Sequence, residues 1–254
     1  MEIIGTNNKG LLIDLTNKSY EEFTIKEESR KKFLGAKGLA IKYLAEHLDL
    51  QCDPLSSSNI LAFFTGAMLG TRAPCTARFA AATKSPLTQI LVSSSCGGSF
   101  GEQLKKAGYD GLLIKGKANS PMYLSITAYG IEFFDANYLW GKDIKETQEM
   151  LKGKSTASIC IGKAGENKVL YANVASDRRF FGRGGIGAVM GAKNLKAVVA
   201  KGLNVKISPK NRKEFNKMRK KALDQINTNE MTSEKYRTYG TNTNVKLCQE
   251  TKIL

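Results

Sequence analysis

The sequence is poor in the residues that build metal sites and disulfide frameworks. Only five cysteines and one histidine occur among 254 residues, and no two cysteines form a C-x-x-C pair. The odd number of cysteines and their spacing argue against a disulfide framework, and against a zinc or iron–sulfur site made by local spacing. His47 stands in a helical pattern, where we interpret it as a packing or surface residue rather than a ligand.

Long apolar segments are also missing. No run of about 18 apolar residues occurs, so the sequence predicts no transmembrane helix and no membrane partner. The first residues have neither the basic start nor the apolar stretch of a secretory signal, which makes a cytoplasmic protein the expectation. With 42% hydrophobic and 24% charged residues, the composition is that of a globular protein with a sizeable core.

Acidic residues are few relative to basic ones. The chain has 23 Asp and Glu against 39 Lys and Arg, a formal net charge of +16. Such a charge favours phosphates, other polyanions or an acidic partner protein. No RNP, helix-turn-helix or zinc-finger signature occurs, and the aromatic residues do not alternate with arginines as in a base-stacking surface. We therefore predict no nucleic-acid partner.

The elements of the chain follow the same order twice. Each half is predicted as β-β-α-β-β-α-β, with a glycine-rich loop before its second helix. These loops are Ser93–Gly101 and Phe181–Gly187. We therefore predict an α+β fold, in which a tandem duplication over residues 1–204 forms a two-sheet base. Residues 205–254 contain a Lys-rich helix from about Asn211 to Ile226 and are predicted to begin a second, helical domain that is incomplete.

The boundaries of the other predicted elements follow the hydrophobic pattern. The predicted strands cover about 11–15, 22–25, 60–65, 77–83 and 110–116 in the first half, and about 122–127, 131–134, 157–161, 171–174 and 195–200 in the second. The longest predicted helix runs from Glu28 to His47 and contains two glycines, Gly35 and Gly38. Because glycine weakens a helix, these two positions indicate close packing against another element.

The two glycine-rich loops are the candidate ligand-binding elements. Glycines let a backbone come close to a ligand, and the first N–H groups of a helix suit phosphate or another oxyanion. Arg183 lies in the second loop, Arg178 and Arg179 precede it, and Arg78 lies in the strand before the first loop. Guanidinium groups make paired hydrogen bonds to phosphate and to other oxygen acceptors. The duplication favours one ligand, or a matched pair, held between two equivalent loops.

Two other interpretations of the loops stay open at this point. Gly182, Gly184 and Gly187 match G-x-G-x-x-G, which leaves a Rossmann dehydrogenase as an alternative, although a Rossmann unit also needs a preceding strand and a parallel βαβ pattern. The other alternative is that both loops are turns that bind nothing. Neither loop matches a P-loop.

Several motifs resemble those of the aldehyde:ferredoxin oxidoreductases, in the order and spacing of that family across about residues 5–202. The motifs are Lys84–Thr88, Cys96–Gly101, Ala107–Asp110, Leu139–Asp143, Ile161–Asn167 and Gly182–Ala197. The resemblance implies an α+β duplicated base that cradles a tungsten, or sometimes molybdenum, ion held by two molybdopterin dithiolenes. A magnesium ion bridges the two pterin phosphates in that family. The implied activity is the oxidation of an aldehyde to a carboxylate in anaerobic metabolism, with electron transfer to ferredoxin.

The resemblance also implies which residues contact the cofactor. Carried over by motif, the pterin contacts are Arg78, Ser95, Gly97, Arg179, Phe180, Gly182 and Arg183. The backbone carbonyls of Ser95 and Phe180 would in addition contact magnesium. Ser95 stands where the family usually has Asn, and Phe180 with Phe181 stands where it often has two small residues. We interpret the neighbouring Cys96 as a packing residue, and no catalytic residue is assigned.

The remaining elements of the family are not found in this sequence. Family members continue through two mostly helical domains, which supply four cysteine ligands of a [4Fe–4S] cluster and acid–base residues near the metal. No iron–sulfur ligands are assigned in this chain. We therefore predict that the chain is the N-terminal part or subunit of a tungsten-dependent aldehyde:ferredoxin oxidoreductase. A C-terminal chain or subunit would complete the enzyme. Ferredoxin would be a partner of the complete enzyme.

Several alternatives to that role remain. The chain is an oxidoreductase by resemblance, and activity of this chain alone is left open. A non-catalytic metallopterin carrier, a structural subunit and an inactive fragment are the alternative functions. A homodimer is also left open.

Overall fold

The computed structural model of the chain describes residues 2–253. Its contacts divide the chain into two compact units, Met1–Ser208 and Pro209–Leu254. Within residues 2–253, every helix is too short or too polar to cross a lipid bilayer.

The first unit begins with a short strand and the first repeat. In chain order its elements are β1 (Glu2–Ile4), β2 (Lys9–Asp14), β3 (Ser19–Thr24), α1 (Glu27–Phe33), α2 (Ala36–His47), β4 (Leu61–Thr65), β5 (Phe79–Lys84), β6 (Leu91–Cys96), α3 (Phe100–Lys106) and β7 (Gly111–Lys115). Strands β2 to β7 form a six-stranded sheet in the order β3-β2-β7-β4-β5-β6. β2 and β7 are parallel, and the other neighbours are antiparallel.

The second repeat has the same order of strands and the same sheet topology. Its elements are β8 (Met122–Thr127), β9 (Gly130–Asp135), a 3₁₀ turn (Asn137–Leu139), α4 (Ile144–Met150), β10 (Thr156–Cys160), α5 (Lys163–Glu166), β11 (Val174–Ser176), β12 (Arg179–Phe181), α6 (Ile186–Ala192) and β13 (Leu195–Lys201). The sheet order is β9-β8-β13-β10-β11-β12, with β8 parallel to β13. The predicted α+β fold with duplicated sheets is thereby confirmed. A further strand, β14 (Lys206–Ser208), pairs with β1 in parallel.

One hydrophobic core lies between the two sheets. The largest cluster of buried side chains includes residues of both sheets and of α3 and α6. α3 contacts β10 and β13 of the second sheet as well as β4 of the first, and α6 contacts β4, β5 and β13. Each of these helices therefore joins the repeats. Full burial of large side chains such as Phe63, Phe79 and Phe181 stabilises the domain by about 1.5–3 kcal/mol each.

The outer faces of the sheets are covered unequally. α2 has 12 residues and packs on β4, β5 and β6 of the first sheet. α4 has seven residues and packs on β10 of the second sheet. A capping box starts α4, because the Asp143 side chain accepts from the Glu146 N–H and the Glu146 side chain accepts from the Asp143 N–H. The outer face of the second sheet is therefore the more open one.

The structure corrects the predicted secondary structure in three places. Each repeat has one strand more than predicted, because β6 contains a run of three serines, which do not favour strands, and β12 has only three residues. β11 starts at Val174, where the strand predicted at 171–174 ends; Tyr171 is 72% exposed. The mainly antiparallel sheets also exclude the Rossmann alternative, which needs consecutive parallel βαβ units.

The third correction is that the helix predicted from Glu28 to His47 is two helices. The chain breaks between α1 and α2 at Leu34, which has φ of +57°. Gly35 lies close to the β4–β5 connection, since a Cβ there would be 3.0 Å from the Ala67 nitrogen and from the Thr65 oxygen. Tertiary packing at Gly35 therefore overrides the helical periodicity.

The second unit consists of short helical segments. These are α7 (Arg212–Thr228), a π-helical turn (Met231–Lys235), α8 (Tyr236–Tyr239), a 3₁₀ turn (Gly240–Asn244) and α9 (Val245–Glu250). Asn211 caps α7 by accepting a hydrogen bond from the Glu214 N–H. None of these segments contains a buried residue.

Three of the sequence motifs meet at one buried ion pair of the second repeat. Lys196 Nζ lies 2.5 Å from Glu166 Oε1, and the two side chains are 0% and 5% exposed. The lysine also donates to the Lys142 carbonyl at 2.9 Å, while Glu166 Oε2 accepts from the Gly141 N–H at 2.9 Å. The pair ties β13 to α5 and to the turn before α4. Loss of one partner would leave the other charge buried and unpaired.

Breaking this pair should destabilise the first unit strongly. We expect Lys196→Met and Glu166→Gln to lower the free energy of unfolding by about 3–5 kcal/mol each, and the double variant by less than the sum of the two. Urea denaturation followed by circular dichroism measures these losses. Lys246→Met, which removes an exposed lysine paired with Glu250 at 3.8 Å, is the control and should change little. Equal, small losses in all variants would contradict the role of the pair.

Candidate functional site

The two glycine-rich loops lie side by side where the edges of the two sheets meet. β6 is the last strand of the first sheet and β12 is the last strand of the second, and the two strands contact each other. β6 leads through Gly97–Ser99 into α3, and β12 leads through Gly182–Gly185 into α6. The equivalent halves of the duplication therefore meet at this junction.

Two glycines allow the repeats to approach each other. Gly98 and Gly184 occupy equivalent positions, two residues before α3 and α6, and have φ of +102° and +80°. A Cβ on Gly98 would lie 2.5 Å from Ser176 Oγ, and a Cβ on Gly184 would lie 2.5 Å from Val92 Cγ2. Only glycine combines this backbone conformation with so close a contact. These glycines serve the junction between the repeats.

Two other glycines leave the loop backbone open. A Cβ on Gly182 would meet nothing within 4 Å, and one on Gly97 would meet Arg179 Cγ at 3.6 Å. Within the described residues, the N–H groups of Gly97, Gly182 and Arg183 donate no hydrogen bond to a protein acceptor. Accessible, unpaired N–H groups in succession suit an oxyanion such as a phosphate. These positions have the space and the donors that a ligand needs.

Arginines from both repeats border the loops. Arg78 directly precedes β5, and since Phe79 pairs with Cys96, Arg78 lies beside the start of the first loop. Arg179 lies on β12, and Arg183 follows it in the second loop. All three arginine side chains are exposed, as is that of Arg178. They give the junction a positive charge and present several guanidinium groups to solvent.

Cys96 at the end of β6 points into the core. It is 1% exposed, and its thiol donates to the Gly97 carbonyl at 3.1 Å. Burial raises the pKa of Cys96 to about 11, although the charges of Arg78 and Arg179 act in the opposite direction. The thiol therefore stays protonated at neutral pH and packs against the core, in agreement with its interpretation as a packing residue.

The adjacent phenylalanines of β12 point to opposite faces. Phe181 is fully buried, with ring centroids 4.9 Å from Phe79 and 5.8 Å from Phe63. Phe180 is 46% exposed and lines an open depression of about 700 Å³ beside α4, which also contains Arg178. Only one of the two rings is therefore available to a ligand at this surface.

All seven residues predicted as cofactor contacts lie around the junction. Arg78, Ser95, Arg179, Phe180, Gly182 and Arg183 are exposed, and Gly97 is half-buried. Ser95 and Phe180 lie on edge strands, where alternate backbone carbonyls have no ladder partner. Backbone carbonyls are oxygen donors of the kind that magnesium accepts. The residues present therefore fit an anionic cofactor with an associated magnesium ion, and their assignment as contacts stays a prediction.

Protein side chains do not form a metal site of their own in the described part of the chain. Among residues 2–253, no group of three or more His, Cys, Asp or Glu side chains is placed to hold a metal ion.

The sequence interpretation missed two residues that organise the site. Asp177, in the turn between β11 and β12, accepts two hydrogen bonds from Ser99 of the other repeat. Lys105 is fully buried, and its ammonium donates to the carbonyls of Ala67 at 2.7 Å and Leu69 at 3.2 Å in the connection that leads to Arg78. Burial lowers the pKa of Lys105 to about 8. A buried lysine is rare, so no sequence signal marks it.

Comparisons with known proteins agree with each other on the family. Residues 10–202 match the family model described as aldehyde ferredoxin oxidoreductase, N-terminal domain. The chain is 38% identical over 253 residues to the tungsten-containing aldehyde ferredoxin oxidoreductase of Pyrococcus horikoshii, which covers 98% of this chain and 42% of that protein. It is 40% identical over 216 residues to an aliphatic sulfonate oxidoreductase, WOR-like subunit, of Pyrococcus furiosus, covering 77% of this chain and 34% of that protein.

A solved structure has the same fold. It is a chain of the active site complex BamBC of benzoyl coenzyme A reductase in complex with 1,5-dienoyl-CoA. The TM-score is 0.84 at 35% sequence identity, with 88% of this chain and 35% of that chain covered. The chain therefore spans less than half the length of the relatives that it matches.

The two classes of loop glycine should respond differently to substitution. Gly184→Ala places a Cβ against Val92 at a left-handed backbone position, so we expect a loss of about 2 kcal/mol in the free energy of unfolding. Gly182→Ala, in open space, should cost less than about 1 kcal/mol. Urea denaturation of both variants distinguishes them. Equal losses would show that Gly184 does not serve the contact between the repeats.

Proposed function

The chain belongs to the aldehyde ferredoxin oxidoreductase family, and we propose that residues 1–204 are the metallopterin-binding base of such an oxidoreductase. In this proposal the two loops hold the two pterins of a tungsten, or molybdenum, bis-molybdopterin cofactor, and residues 205–254 begin a helical second domain. The observation that carries the proposal is the meeting of duplicated loops, which presents open N–H donors and arginines of both repeats at one junction.

The proposed contacts follow from the chemistry of the exposed groups. Arg78, Arg179 and Arg183 would bind pterin phosphates and carbonyls by paired hydrogen bonds. The N–H groups of Gly97 and Gly182 would bind phosphate oxygens. The backbone carbonyls of Ser95 and Phe180 would contact a magnesium ion between the phosphates. The bound cofactor supplies the two-electron redox chemistry of aldehyde oxidation, while the chain binds and orients it.

The relatives support a role in holding the cofactor rather than in selecting a substrate. They are described as an aldehyde oxidoreductase, a sulfonate oxidoreductase subunit and a benzoyl-CoA reductase complex, and all share this base with the chain. When one fold serves several substrates, the shared architecture by itself does not determine which substrate is bound. We therefore place substrate selection outside the base.

The rest of the enzyme would come from a complementary segment or subunit. The chain covers 42% of the Pyrococcus horikoshii relative, and the related benzoyl-CoA reductase structure is described as a complex. We propose that the complementary part supplies the [4Fe–4S] ligands and the electron path to ferredoxin. Activity would then need both parts.

Cofactor analysis of the chain tests the proposal directly. After anaerobic expression in a host supplied with tungstate, we expect tungsten or molybdenum near one per chain, pterin fluorescence after release, and no iron. Metal mass spectrometry of the purified chain measures this. A chain that holds neither pterin nor tungsten or molybdenum would overturn the proposal. Iron at about four per chain would contradict the assignment of the cluster to the complementary part.

Substitution of one loop arginine tests the site itself. Arg183→Ala should lower the pterin content per chain roughly tenfold, because it removes a charge-assisted contact from the open loop. Lys217→Ala, on the exposed side of α7, is the control and should leave the pterin content unchanged. Equal retention by the two variants would show that the second loop is not the cofactor site.

A further inference from the structure

We propose that Asp177 is a positioning residue that holds the two halves of the cofactor site at a fixed separation. The expected effect of Asp177 on cofactor binding rests on the proposed function. Its expected effect on the position of the first loop rests on the hydrogen bonds alone. Asp177 is not itself placed among the cofactor contacts. Its carboxylate joins the first loop to the β-hairpin that carries Arg179 and Phe180.

The carboxylate makes two short hydrogen bonds across the junction. Asp177 Oδ2 accepts from the Ser99 N–H at 2.7 Å and from the Ser99 hydroxyl at 2.8 Å. Ser99 directly precedes α3, two residues after Gly97, and Asp177 lies two residues before Arg179. Hydrogen bonds to a carboxylate are shorter and stronger than those between neutral groups. Both bonds therefore act on the loop residues next to the proposed contacts.

The backbone at Asp177 is suited to this contact. Ser176 pairs with Arg179, so Asp177 and Arg178 form a two-residue turn, and Asp177 has φ of +51°. Among residues with side chains, Asp and Asn tolerate this left-handed conformation best. The Asp177 carbonyl accepts from Gln148 Nε2 of α4 at 3.1 Å. The turn is therefore held by α4 on one side and by Ser99 on the other.

Close packing around the carboxylate limits what can stand in the first loop. A Cβ on Gly98 would lie 3.0 Å from Asp177 Oδ2 and 2.5 Å from Ser176 Oγ. Ser176 is fully buried, and within the described residues its hydroxyl has no hydrogen-bond partner. An unpaired buried hydroxyl is unfavourable. The close contact between the turn and the first loop thus leaves this hydroxyl without a hydrogen-bond partner.

The separation of the half-sites depends on such contacts because the two sheets share no strand. Ser95 and Gly97 belong to the first repeat, and Arg179 and Phe180 belong to the second. Within the described residues, the two bonds of Asp177 are the hydrogen bonds that join the first loop to the β11–β12 hairpin. The contact of Gly184 with Val92 is apolar and has no directional preference. Asp177 is therefore the directional link between the first loop and the β11–β12 hairpin.

Three substitutions of Asp177 separate the hydrogen bonds from the backbone conformation. Asp177→Asn keeps an acceptor oxygen and tolerates positive φ, whereas Asp177→Gly tolerates positive φ without an acceptor, and Asp177→Ala offers neither. Each variant is made in the full chain and expressed anaerobically with tungstate. The measurements are tungsten and pterin per chain, and amide hydrogen exchange at Ser99 and at residues 179–181.

We expect the asparagine variant, which keeps neutral hydrogen bonds to Ser99, to lose less of the cofactor than the glycine variant. Asp177→Gly should lower the tungsten and pterin content roughly tenfold, since charge-assisted hydrogen bonds are lost while the fold is kept. Its amides at Ser99 and at residues 179–181, which are hydrogen-bonded in the unsubstituted chain, should exchange faster. Asp177→Ala should show at least these losses. Lys18→Gly is the control, because Lys18 also has positive φ, at 49°, but lies in the β2–β3 turn at the opposite edge of the first sheet.

Two results would overturn the proposal. One is unchanged cofactor content and amide protection in Asp177→Gly, and the other is an equal loss in Asp177→Asn, which retains an acceptor. If the unsubstituted chain holds no pterin, the proposed function fails. Amide exchange at Ser99 and at residues 179–181 then decides by itself whether Asp177 holds the first loop against the β11–β12 hairpin.

Discussion

The contact between the edge strands β6 and β12 is the constraint on which the candidate site depends. Each strand is the last of its own sheet, so backbone ladders determine the geometry within a repeat but not between the repeats. The separation of the loops depends instead on α3 and α6, which pack between the sheets, on close contacts at Gly98 and Gly184, and, in our proposal, on the hydrogen bonds of Asp177 to Ser99. A ligand with two equivalent halves requires such a fixed separation.

Buried lysines hold several backbone segments together by hydrogen bonds to their carbonyls. Lys193 is fully buried in the second repeat, and its ammonium donates to the Gly116 carbonyl at 2.9 Å and the Ser57 carbonyl at 3.2 Å in the first. Burial lowers the pKa of Lys193 to about 8, as it does for Lys105. The unfolded chain binds the protons of these two lysines more tightly than the folded chain does. Burial of the lysines therefore lowers the free energy of unfolding most below about pH 8, and this effect decreases as the pH rises toward 10.5. The lysines therefore join backbone segments, although their burial in the charged form lowers the free energy of unfolding at neutral pH.

The motifs that identify the family divide into two physical groups. Glu166, Lys193 and Lys196 belong to motifs but are buried, and they hold the scaffold together. The motifs around Gly97 and Gly182 instead leave backbone and arginines exposed at the junction. The motifs that resemble the family thus include residues that the fold requires as well as the proposed contacts to a cofactor. Only the exposed group is relevant to the proposed binding of a metallopterin.

The α+β class, the duplicated order of elements and the two loops were predictable from the sequence, because hydrophobic periodicity and glycine clusters are local signals. The strands β6 and β12 were not, since the serine run of β6 and the three residues of β12 form strands only through their neighbours in the sheets. The break before Gly35, the opposite directions of Phe180 and Phe181, and the bond between Ser99 and Asp177 were also decided by tertiary structure. Ser99 and Asp177 are 78 residues apart, and a contact over that separation exists only after both sheets have formed around the shared core.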